Sequence, residues 1–120
     1  MADRQFRGIF AIPPTPFNPD DTLDRKGLDS VLSFTVGAGA HGIVMPVMAS
    51  EYQALDDGER HIIAERAVAI SAGRVPVVAG VTGVSTAHSI ALARHAQDSG
   101  ADAVIAMPPH SRAPSRDEAI

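Results

Sequence analysis

Four short apolar runs, each closed by a glycine- or proline-rich turn and followed by a stretch of helical periodicity, organise this chain. The first run, residues 8–12, ends at Pro13-Pro14-Thr15-Pro16, because consecutive prolines lack N–H donors and cannot continue a central strand. Leu28, Val31, Leu32 and Thr35-Val36 then recur at the spacing of one helix face, and Gly37 and Gly39 stand where that helix should stop. The second run, residues 42–47, is apolar throughout rather than alternating, the pattern of a strand covered on both faces. Asp56 with Glu59 three residues later makes a capping box, which opens a helix carrying Ile62, Ile63, Ala67 and Ile70 up to Gly73. The third run, residues 74–79, leads into a turn at residues 80–83. Ser85 or Thr86 then caps a helix with Ile90, Leu92, Ala93 and Ala96 on its apolar side, ending near Ser99-Gly100. The fourth run, residues 103–107, stops at Pro108-Pro109.

Strands separated by helices imply parallel pairing through right-handed crossovers. A barrel and an open doubly wound sheet both follow that plan. The first strand-to-helix turn has no Gly-x-Gly-x-x-Gly to seat a dinucleotide, which weighs against the open nucleotide-binding sheet. Residues 39–46 and 100–108 share the order helix end, strand, proline turn, as repeated βα units would. Ser115-Arg116-Asp117-Glu118 is a further capping box close to Ile120, so the sequence is expected to stop inside an element, as a truncated product or with a frayed end.

Composition narrows the function classes. A chain of 120 residues, 45% hydrophobic, suits one small domain. Its formal charge of −4, with nine arginines and one lysine scattered along it, gives no basic track for nucleic acid and no attraction to an anionic membrane. Absence of cysteine excludes disulfides and thiolate metal sites. No apolar stretch approaches the roughly 20 residues that span a bilayer, and the first residues carry no secretory pattern. The expectation is a cytoplasmic protein with neither a nucleic-acid nor a membrane partner.

A set of residues then matters for its order. Gly8-Ile9 leads to Thr15-Pro16-Phe17, and Asp24 opens the first helix. Glu51, Leu55 and Glu59-Arg60 follow the second strand, and residues 73–80 read Gly-Arg-Val-Pro-Val-Val-Ala-Gly. Ser85-Thr86, Gly100-Ala101-Asp102-Ala103-Val104, and Pro108-Pro109 before Pro114-Ser115 complete it. In this order and spacing the chain resembles the dihydrodipicolinate synthase and N-acetylneuraminate lyase group of class I, Schiff-base aldolases. The resemblance implies an α/β fold, the N-terminal portion of a (β/α)8 TIM barrel with about four βα units, residues 1–120 belonging to that single domain. It places the active site at the carboxyl ends of the strands. It implies pyruvate or a pyruvate-yielding 2-keto acid held as a Schiff base on a lysine, with no metal and no dissociable cofactor. It also implies a homo-oligomer in which an active-site tyrosine crosses a subunit contact.

That chemistry needs an amine, a carboxylate clamp and a proton relay. Lys26, the only lysine, sits in a polar Asp24-Arg25-Lys26 setting at a helix start, without the desolvated pocket that activates an amine. The resemblance places the nucleophilic lysine on a sixth strand, so the 120-residue chain is expected not to form the imine. Where the family carries Gly-Thr-Thr-Gly-Glu as its clamp, this chain has Val47-Met48-Ala49-Ser50-Glu51. Both threonine hydroxyls are missing. Met48, Ala49 and Ser50 remain the candidate substrate-binding residues, through backbone N–H groups and one serine hydroxyl, although Met and Ala also simply pack. The tyrosine relay position falls on Ser111, beside His110, a candidate acid–base group, and Arg112, the nearest cation for a substrate carboxylate. His41, His61, His88 and His95 read as helix-surface residues. His88 and His95 share a helix face, with no carboxylate beside them to complete a metal site. Tyr52, the only tyrosine, lines the pocket or packs on the rim.

The expected function is therefore a lyase or aldolase of this group, other than dihydrodipicolinate synthesis proper and inactive as the isolated chain. The alternative is a non-catalytic half barrel that self-associates or binds a partner, since four parallel strands leave two edges unpaired. A phosphate- or nucleotide-binding domain ranks last for want of a glycine fingerprint.

Overall fold

Each apolar run becomes a strand and each periodic stretch a helix. The computed structural model describes residues 6–108. Strands β1 (Phe10–Ala11), β2 (Gly42–Met45), β3 (Val77–Gly80) and β4 (Ala103–Ile105) lie side by side in that order, all parallel. Helices α1 (Arg25–Gly37), α2 (Asp57–Ser71) and α3 (Thr86–Ser99) connect them. The strands are shorter than the runs that predicted them. Pro46 and Pro76 lack the amide that would extend β2 forward or β3 backward.

A doubly wound sheet reverses its strand order at a switch point. This one does not reverse, and its helices pack in sequence, α1 on α2 and α2 on α3. The register explains the core. Ile43 pairs with Val77 and Met45 with Ala79, so these alternate residues share the face that meets the helices. Leu28 and Leu32 of α1 and Ile63 and Ala67 of α2 close over Ile43, Met45 and Val77. Full burial of a leucine or isoleucine is worth roughly 2 kcal/mol. Leu92 and Ala96 of α3 cover Ala79 and Val81 in a second cluster. On the opposite face, the Phe10 ring fills the space over Gly42, where an added Cβ would meet it at 2.5 Å, and Phe6 stacks on Phe10. Apolar side chains are also left exposed at both edges of the sheet, Ile9 and Ile12 beside β1, Val104 and Ile105 on β4.

Side chains fix the helix starts. Asp24 accepts from the Gly27 amide at 2.9 Å. Asp56 and Glu59 form the predicted capping box with bonds of 2.7 and 3.0 Å. Ser85, rather than Thr86, caps α3. Gly100 ends α3 at φ +94°, a left-handed conformation that glycine adopts without a steric cost. No helix among the described residues is long and apolar enough to cross a membrane.

Candidate active site

The loops at the carboxyl ends of β1, β2 and β3 gather at one end of the sheet. Two hydroxyls lock the first two loops together. Ser50 donates its Oγ hydrogen to the Pro13 carbonyl at 2.9 Å, and Thr15 donates its own to the Ser50 carbonyl at 2.5 Å. Both residues are buried, Ser50 completely. The Ser50 hydroxyl, expected to face a substrate, thus fixes the loop, and its proton is already taken. Removing it in Ser50→Ala strands the Pro13 carbonyl, and we expect a loss of about 1–2 kcal/mol in the urea-unfolding free energy; an unchanged midpoint would show the lock to be dispensable.

Met48 and Ala49, by contrast, are exposed. They belong to a single 3₁₀ turn, Met48–Ser50, whose opening amides have no side-chain cap. Glu51 follows at φ 58°, ψ 42°, a left-handed conformation that costs a non-glycine residue about 1 kcal/mol. Such strain recurs where a turn is shaped for function. A second 3₁₀ turn, Tyr52–Ala54, then leads to α2.

Beneath this loop lies a residue that sequence reading missed. Arg60, in the first turns of α2, is only 5% exposed. Its guanidinium donates to the carbonyls of Thr82 at 2.8 Å and Gly80 at 3.1 Å, and it lies over the Tyr52 ring, 5.3 Å from the centroid. Burial lowers its affinity for a proton, and the Asp57 carboxylate partly opposes that shift. Arg60 Nε and the Tyr52 hydroxyl are both buried without a partner. Thr82 Oγ1 in turn accepts from the Met107 amide at 3.0 Å. One arginine and one threonine therefore tie together the loops after β2, β3 and β4. The signal was present in the spacing, because Arg60, Ile63, Ala64, Ala67 and Ser71 fall on one helical face and all are buried.

Of the other candidates, Lys26 is exposed as the second residue of α1. His110, Ser111 and Arg112, and the capping box at residues 115–118, lie outside the described residues. Tyr52 packs, taking one of its two expected places. The histidine reading needs correction. His88 and His95 do meet carboxylates, contributed by the neighbouring helix: His88 Nε2 lies 2.8 Å from Asp57 and His95 Nε2 2.9 Å from Glu65. Each ring takes one acid, and no group of three or more His, Cys, Asp or Glu side chains among the described residues could hold a metal ion.

A sequence profile of the dihydrodipicolinate synthetase family matches residues 5–120. The chain belongs to that family. It is 36% identical over 107 residues to a probable 2-dehydro-3-deoxy-D-pentonate aldolase of Escherichia coli (strain K12), covering 89% of this chain and 36% of that protein. It is 34% identical over 117 residues to the 4-hydroxy-tetrahydrodipicolinate synthase of Gluconacetobacter diazotrophicus, covering 98% of this chain and 39% of that enzyme. The structure superposes on a crystal structure of dihydrodipicolinate synthase with a TM-score of 0.88 and 32% identity, covering 94% of this chain and 39% of the other. The chain thus spans well under half the length of these family members, and the parallel strands and connecting helices of its described residues are the N-terminal part of the family's (β/α)8 barrel. Two members of comparable identity carry different reaction names, so membership leaves the substrate open.

Proposed function

We propose that this chain supplies the carboxylate-binding side of a Schiff-base lyase or aldolase acting on pyruvate or a pyruvate-yielding 2-keto acid. One observation carries the reading: the Thr15–Ser50–Pro13 lock sets the exposed Met48-Ala49 segment at the carboxyl end of β2. That is where the family's Gly-Thr-Thr-Gly-Glu clamp falls, with Glu51 retained. Main-chain N–H groups remain to grip an oxyanion where the threonine hydroxyls are replaced. Loss of those hydroxyls, and of the relay tyrosine at Ser111, favours a reaction other than dihydrodipicolinate synthesis proper. His110 is then the acid–base group and Arg112 the cation for the far carboxylate. The imine-forming amine belongs to the family's sixth strand, and Lys26 does not replace it.

The test treats the 120-residue chain with pyruvate, first alone and then with borohydride. Millimolar pyruvate is expected to shift the amide resonances of residues 47–51, and borohydride is expected to trap no adduct, as read by intact mass. A stable adduct on Lys26 would overturn the account of the amine, and shifts confined to other segments would overturn the clamp.

A further inference from the structure

The loop that follows β3 lies at the candidate site; two side chains of α3, Ser89 and His88, hold its main chain, and Ser85 at its end caps the helix. Ser85 Oγ accepts from the His88 amide at 3.1 Å, Ser89 Oγ from the Gly83 amide at 2.9 Å, and His88 Nδ1 from the Val84 amide at 3.1 Å. The Val84 side chain is 94% exposed, so packing contributes little to its position. His88 reaches the other way as well, with Nε2 2.8 Å from Asp57 Oδ1 at the start of α2. Because the Val84 N–H donates to Nδ1, that nitrogen carries no proton. The neutral ring's hydrogen then sits on Nε2 and is donated to Asp57. A further proton has only Nδ1 to occupy. There it turns the acceptor for Val84 into a donor facing an N–H, while the new charge strengthens the bond to Asp57.

We propose that His88 is a pH-operated latch on the end of the loop after β3, holding the Val84 amide when neutral and releasing that amide when protonated. The surroundings favour this outcome. On α2, Asp57, His61 and Glu65 line the seam with α3, and Arg60 lies inward of it on the Gly80 and Thr82 carbonyls. On α3, His95 lies two turns beyond His88, bonded to Glu65 and stacked on His61 with ring centroids 3.8 Å apart and 17° between planes. Burial, and then the neighbouring His95 ring, hold His61 below the ordinary imidazole range, so it sets little competing charge beside Asp57. The other flank of α2 packs on α1, whose Asp29 is engaged by Arg66 in a bidentate pair at 2.8 and 2.9 Å. An imidazolium at position 88 therefore stays with α2 and lets the Val84 amide go.

Residue-resolved amide exchange on the whole chain from pH 8 to 5, with the ring C2–H signals followed in parallel, tests the latch across the interval in which imidazole rings take protons. Val84 protection, corrected for intrinsic exchange, is expected to fall about five- to tenfold in step with the His88 ring, the change that one hydrogen bond of about 1 kcal/mol represents. Gly83, held by Ser89, is expected to keep its protection. His88→Gln carries an oxygen that accepts at any pH and is expected to hold Val84 throughout; His88→Phe is expected to leave it unprotected throughout. Val84 protection that stays constant in the wild-type chain while the His88 ring titrates overturns the proposal, as does a pH response that survives in His88→Phe.

Discussion

Gly80→Ala is expected to destabilise the chain by about 3 kcal/mol or to prevent folding, at the upper end of what overpacking does. A Cβ at Gly80 would fall on the Pro46 carbonyl oxygen and lie 2.8 Å from its carbon. Neither partner has room to retreat. Pro46 follows the fully buried Met45, and Met45 is paired in register with Ala79, the neighbour of Gly80. Gly80 is not among the positive-φ glycines, so backbone strain adds nothing and the effect is steric. Gly37, at the end of α1, makes the control: nothing lies within 4 Å of its would-be Cβ. Gly37→Ala should stabilise by roughly 0.5 kcal/mol through helix propensity and a less flexible unfolded chain. Urea unfolding followed by circular dichroism reads both. A Gly80→Ala midpoint equal to that of the parent would mean that the crossing of β3 over the β2 loop is looser than described.

Arg60→Met should lower stability by about 3 kcal/mol, because it leaves the carbonyls of Gly80 and Thr82 buried without a donor and each orphan costs about 1–3 kcal/mol. Relief from burying the guanidinium offsets part of that loss and keeps the figure from being larger. Arg60→Lys should recover roughly half, since a single ammonium is a point donor and the planar fork spans two acceptors. The same variants should raise exchange at the Met107 amide, which Thr82 holds from the loop that Arg60 anchors. A methionine variant within about 0.5 kcal/mol of the parent, the range of an ordinary surface substitution, would show that water reaches those carbonyls and that the arginine is ornamental.

Much of the fold was legible in the chain because its signals are local. The box at Asp56 and Glu59, the glycine after Ser99 and the prolines after Ile12 act within a few residues and stand where they were expected, whereas Pro46 and Pro76 cut the two middle runs shorter than their pattern implied. The site was less legible because its partners are distant. Ser50 meets Pro13 across 37 residues, Arg60 meets Thr82 across 22, and periodicity says nothing about which loop a hydroxyl or guanidinium will cross. The histidines make the same point. Reading α3 alone put His88 and His95 on one face and found no acid there, because Asp57 and Glu65 come from α2. Met48 and Ala49 stand at the carboxyl end of β2 and are exposed, while the serine hydroxyl beside them turned inward.

The Glu59 carboxylate serves two masters. Its Oε1 accepts from the Asp56 amide in the capping box at 3.0 Å, and its Oε2 accepts from the Leu23 amide at 3.1 Å. Leu23 precedes the first helix by two residues, and its side chain is buried against the core that α2 completes. The Leu23 amide therefore has this acceptor only once the chain 36 residues further on has been made and the second helix has begun to wind. The first unit's hydrogen bonding is thus complete only with the second in place, so the two are one structural pair rather than separable βα units.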